Sequence, residues 1–145
     1  MRLDEFEGYI AFFMSQMKQT FGDSIELLEI KKELNYHGYF FLKYYHFPTK
    51  LFVLIESEYG LFTVRIEQED SSFNNLNRIE PFDNYLSSDI NASMEKIEKS
   101  IRILKDALSR PISFYKAMND GLYRKEGTEF VKLSWDEIKT LQRNH

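Results

Sequence analysis

Few side chains in this sequence are placed to do chemistry. The three histidines are His37, His46 and His145. His37 and His46 could approach one another along an aromatic strand, but a zinc site needs a third ligand and none is placed beside them. The chain has no cysteine, which removes thiolate metal ligands, disulfides and cysteine nucleophiles. Glu56, Glu58, Glu67 and Glu69 offer carboxylates two residues apart, and paired carboxylates can hydrolyse glycosides. Acids at that spacing on strand ends also serve simply to keep a face wet. The six glycines stand apart at 8, 22, 38, 60, 121 and 127, so no phosphate-cradling loop is encoded. No G-x-S-x-G elbow occurs. The expectation is a non-enzymatic chain without catalytic residues, metal ligands or cofactor.

The remaining pattern is one of elements that bury and elements that present. Leu3, Phe6, Ile10, Phe13, Met14, Met17 and Phe21 recur at three- and four-residue steps, which predicts a helix over 3–21 ended by Gly22. Residues 25–67 read as an antiparallel meander: 25–34, then the aromatic run 36–47 closed by Pro48, then 51–58, then 61–67 with Phe62, Val64 and Ile66 alternating against Thr63, Arg65 and Glu67. Residues 68–89 read as a long polar loop containing Phe73, Leu76, Ile79, Phe82 and Tyr85. Ile90, Met94, Ile97, Ile101, Leu104 and Leu108 predict a second helix over 90–109, stopped by Pro111. Strands are expected over 112–118 and 122–133, with turns at Asn119-Asp120-Gly121 and Glu126-Gly127. Ser134 with Glu137 three residues on is a capping box for a short last helix.

Runs of strands joined by short turns argue for a single α+β domain over 1–145, with an antiparallel sheet of about six strands and three helices. Phe13, Met17, Leu54, Val64, Ile97, Ile101 and Leu104 are expected to share its core. At 145 residues, 43% of them hydrophobic, one core can form without disulfides. The N-terminus carries acids where a signal peptide would carry bases, and no apolar run approaches a membrane span, so a soluble cytoplasmic chain is expected.

Charge is distributed unevenly. Residues 56–89 carry Arg65 and Arg78 against eight acids, a net charge of −6, while the whole chain is at −4. Such a segment repels phosphate backbones and attracts basic partners, so neither nucleic acid nor membrane is expected as a partner. The candidate partner-binding residues are Glu67, Glu69, Asp70, Glu80 and Asp83 for steering, with Phe73, Phe82 and Tyr85 as aromatic anchors.

The general plan is cysteine-free, acidic, aromatic-rich α+β, with closing hairpins between Ile112 and Ser134. It resembles the small immunity proteins that bacteria make against their own secreted toxins. That resemblance implies a binder that plugs a toxin domain, often a nuclease with a basic cleft. Two other classes fit the same plan: a secretion chaperone or adaptor that uses exposed aromatics, and a domain that binds a small ligand in an aromatic pocket.

Overall fold

The computed structural model describes residues 3–59, 61–75, 90–91 and 94–143. Helix α1 spans Leu3–Phe21. Its Phe6, Ile10, Phe13 and Met17 are buried, as their helical spacing requires. Gly22 ends it at φ +55°, a left-handed conformation that glycine adopts without steric cost. A single 3₁₀ turn, Gly22–Ser24, leads into the sheet.

Four strands then form an antiparallel meander: β1 (Ile25–Glu33), β2 (Tyr39–His46), β3 (Leu51–Glu58) and β4 (Leu61–Glu67). Side chains alternate across a strand and directly opposed residues share a face. One face therefore collects Phe40, Leu42, Tyr44, Val53, Ile55, Phe62, Val64 and Ile66, all buried. Helix α2 (Met94–Leu108) lays Ile97, Ile101, Leu104 and Leu108 on this same face beside α1. Phe13 sits at the centre, its ring 5.2 Å from that of Phe62 and 6.1 Å from that of Phe40, edge-on to both.

Leu54 departs from its expected place in this core. It pairs with Lys43 and Arg65 and lies half-buried on the opposite face. The unbroken apolar run Leu51–Ile55 concealed the alternation: Leu51, Val53 and Ile55 point inward, Phe52 and Leu54 outward.

Among the described residues the sheet has nine strands rather than about six. The polar stretch after β4 opens as a tight turn, and β5 (Phe73–Asn75) returns antiparallel along β4. Next to it β6 (Ile90–Asn91) pairs with Leu61 and Phe62, so Ile90 is a strand residue and α2 begins at Met94. Residues 76–89, the rest of the expected loop, lie outside the described residues. Beyond α2, β7 (Tyr115–Met118), β8 (Gly121–Glu126) and β9 (Glu129–Lys132) form two hairpins, and α3 (Trp135–Arg143) ends the fold. The α+β class, antiparallel sheet and three helices match expectation.

The two halves of the sheet meet at one opposed pair, Phe73 with Tyr115. Phe73 lies on the face away from α1 and α2, where the Arg65 guanidinium stacks 4.0 Å from its ring. Tyr115, Leu133, Phe73, Leu122 and Ile138 of α3 form a second, small cluster there. So α1 and α2 cover one face of β1–β4, and α3 covers the opposite face of β7–β9. The capping box is formed as read: Glu137 N–H donates to Ser134 Oγ at 3.1 Å, and Ser134 N–H donates to Glu137 Oε1 at 3.0 Å.

Candidate interaction surfaces

Over β1–β4 the second face of the sheet carries no helix among the described residues. Register places Tyr39, Phe41 and Tyr45 of β2 and Phe52 of β3 on it. The same registers place Glu26, Glu29, Glu33, Glu56, Glu58 and Glu67 there, against three cations, Lys31, Lys43 and Arg65. The cations lie over rings: Lys31 Nζ is 5.4 Å from the Phe41 centroid and Lys43 Nζ 4.8 Å from that of Phe52. These contacts hold the long side chains flat on the aromatics and leave a partly exposed, net acidic surface.

One border of this face is the turn between β4 and β5. Ser71 N–H donates to Gln68 C=O at 2.9 Å, and Gln68 N–H donates to Ser72 C=O at 2.8 Å. Ser71 has φ +70°. This is a three-residue hairpin loop with a left-handed residue in third place, where glycine is usual. Asp70 caps it from inside: the Ser72 N–H reaches Asp70 Oδ1 at 3.0 Å. Lys125 of β8 crosses to the same turn, donating to Asp70 Oδ2 and to Gln68 Oε1, each at 2.7 Å. Hydrogen bonds from Lys125 and then Ser72 hold the Asp70 carboxyl well below the usual carboxylate range. A cleft of about 390 Å³ lies between this turn and the one after β2, lined by Tyr45, Thr49, Lys50, Glu69, Asp70 and Lys125 among others.

The candidate residues thus occupy different settings. Glu67 lies on the helix-free face, 3.5 Å from Arg65 Nε. Glu69 is exposed at the tip of the turn. Asp70 is committed to Lys125 and Ser72. Phe73 is half-buried beneath Arg65 and against Tyr115. Glu80, Phe82, Asp83 and Tyr85 lie outside the described residues.

The opposite end of the meander holds a group that composition did not reveal. In the turn between β1 and β2, His37 and Gly38 have φ of +56° and +69°, and in the turn after β3, Tyr59 has φ of +58°. Tyr59 N–H donates to His37 C=O at 2.7 Å, tying the two turns together. The His37 and Tyr59 rings stack with centroids 4.1 Å apart, and Tyr36 leans on His37 at 4.6 Å. Tyr36 is 61% exposed and Tyr59 64%. Below them, a Cβ on Gly38 would stand 2.3 Å from Phe6 Cζ, so glycine is what lets this turn seat on α1. Nearby, Tyr39 Oη donates to Glu56 Oε2 at 3.1 Å. Burial first, then Glu56, Glu33 and Glu58, push the Tyr39 phenol above its ordinary value; three carboxylates converge on this end.

His46 lies at the far end of β2 from His37, buried, with Nδ1 2.7 Å from Thr49 Oγ1. Burial lowers its pKa. Among the described residues no group of three or more His, Asp or Glu side chains could hold a metal ion. None of the described helices is long and apolar enough to cross a membrane. Compared with known proteins, the chain matches no family model, no curated protein and no solved structure.

Proposed function

We propose that this chain is a non-enzymatic protein-binding domain of the immunity type, which neutralises a basic toxin domain through an acidic surface. The observation that carries this reading is the helix-free face of β1–β4, where four aromatic side chains lie among six glutamates and only three cations. Aromatics supply buried area from stiff side chains, and a surplus of one charge speeds encounter with the opposite one. Glu69 extends the acidic border at the β4–β5 turn. Asp70 contributes structure to that turn, since its charge is met by Lys125.

The test is association kinetics with a basic partner captured by the tagged chain. Reversing Glu26, Glu67 and Glu69 to Lys is expected to slow association by about tenfold at low salt and to flatten its salt dependence, with the unfolding midpoint nearly unchanged. An association rate that ignores all three reversals would refute the acidic face as the steering surface.

One observation favours a chaperone-like alternative. Among the described residues β1 is an edge strand, paired only with β2, and its Leu28 and Ile30 are exposed. Such an edge can accept an extended segment by strand addition. A β-bulge at Leu27–Glu29 and the charges of Lys31, Lys32 and Glu33 work against that use. Proline at Leu28 would abolish binding of an extended client while leaving toxin binding intact.

A further inference from the structure

We infer that the ring stack of Tyr36, His37 and Tyr59, with Glu33, Glu56 and Glu58 at the same end of the meander, is a preformed docking knob for an arginine-bearing basic protein surface. This rests on the protein-binding reading above and adds where the anchor lies and which side chain it takes.

The stack is exposed, and the backbone beneath it is tied down at several points. Two turns far apart in sequence are tied by the Tyr59 N–H bond to His37 C=O. Gly38 seats the first turn on Phe6 of α1 with no room for a side chain. A tyrosine seldom adopts φ near +57°, yet Tyr59 does, opposite His37 at +56°, a residue type that tolerates this region better. Residues held in such backbone regions persist where the surroundings over-determine them, and they concentrate at binding and switch sites. Three aromatic rings fixed before binding lose little entropy on docking, which is what makes an aromatic an efficient anchor.

The geometry also selects the partner's chemistry. The His37 and Tyr59 rings fill one another's inner faces at 4.1 Å and 23° between planes. No slot remains between them for a ligand, so this is a knob and not a cage. Tyr36 and Tyr59, at the two ends of the stack, are the exposed rings. A guanidinium stacks on the face of such a ring while its N–H groups reach a carboxylate in the same plane, whereas an ammonium offers a point charge and no plane. Glu33 ends β1 next to Tyr36. Glu58 immediately precedes Tyr59, and Glu56 is held nearby by Tyr39. The carboxylates therefore stand at the same end of the meander as the rings, where the polar rim of an interface would lie beside its anchor.

The experiment follows backbone amide NMR signals of the full chain while a blocked arginine dipeptide, and separately its lysine twin, is added. The arginine peptide is expected to move Tyr36, His37, Glu58 and Tyr59 first. It should bind about tenfold more tightly than the lysine peptide. The double variant Tyr36→Ser, Tyr59→Asn should lose that preference. Asparagine tolerates the left-handed backbone at 59, and far-ultraviolet circular dichroism and the unfolding midpoint check that the variant folds. Equal binding of the two peptides would overturn the knob, as would shifts centred on Glu26, Glu29 and Glu67. The second result would leave the acidic-face reading standing. Absence of binding to either peptide would overturn the knob alone, since the kinetic test of the acidic face uses a whole protein partner.

Discussion

Lys125 Nζ lies 2.7 Å from Asp70 Oδ2, joining residues 55 positions apart and holding the β4–β5 turn against β8. Among the described residues the sheet itself crosses that junction with the single pair Phe73–Tyr115, so this ion pair joins the other side-chain bonds that fasten the halves, Asn74 Nδ2 to Ser113 C=O at 2.9 Å and Lys116 Nζ to Asp70 C=O at 3.0 Å. Both partners remain partly exposed, at 22% for Lys125 and 37% for Asp70. Solvent screening limits such a pair to about 1 kcal/mol. Lys125→Met should cost that much by urea unfolding and should raise amide exchange in the turn residues 68–72 before β4.

The same pair sets a pH dependence. The folded Asp70 pKa is depressed below the 3.8 of a free carboxyl. Its stabilisation is therefore complete above that value and is lost as pH falls from 3.8 through the depressed folded value. Asp70→Asn should flatten the acid limb of stability against pH in that window and leave the neutral region shifted by a constant amount. An unaltered acid limb would show that Asp70 is not held as the structure places it.

Ile101 is 2% exposed in the cluster shared by both long helices and the meander. Truncation to alanine removes buried methylenes and leaves a cavity, at a cost of about 2–5 kcal/mol. Chemical denaturation measures this directly, and a near-neutral result would contradict the packing of α2 on the sheet.

Gly38→Ala should be among the most damaging single-methyl changes. It adds a Cβ 2.3 Å from the Phe6 ring at a φ of +69°. Overpacking and the left-handed backbone together cost on the order of 3 kcal/mol. Ser71→Gly should act oppositely, raising stability by about 0.5–1 kcal/mol, because serine at +70° pays a steric cost that glycine does not.

Ser134→Ala tests the reciprocal cap. Loss of the bond to Glu137 N–H should cost about 1 kcal/mol, seen as earlier melting of α3 by amide exchange.

Much of this architecture was legible because its signals are local. The three- and four-residue steps of Phe6, Ile10, Phe13 and Met17 specify α1, those of Ile97, Ile101, Leu104 and Leu108 specify α2, and Ser134 with Glu137 marks the start of α3. The misreadings have physical causes. Ser71 occupies the place where a glycine would have announced the β4–β5 hairpin, so β5 was hidden in a polar stretch. Tyr36 and His37 read as strand because aromatics suit strands, yet Gly38 and the Phe6 ring turn the chain there. The knob itself was invisible, since the bond from Tyr59 to His37 joins two turns that only the meander brings together.

The placement of helices on opposite faces of the two half-sheets bears on how the chain reaches its native state. Strands β1 to β4 and β7 to β9 are each joined by short turns, so each group can form with little loss of loop entropy. Bringing Phe73 to Tyr115 requires closing the whole excursion through α2, a slower event because its entropy is spent before any contact rewards it. Each half also has apolar residues of its own to collapse around, Phe13, Ile55 and Ile101 among them in one and Tyr115, Leu122, Leu133 and Ile138 in the other. The junction at Phe73–Tyr115 and Asp70–Lys125 is then the last seam to close, and variants there should speed unfolding while leaving the early hairpin phase of refolding unchanged.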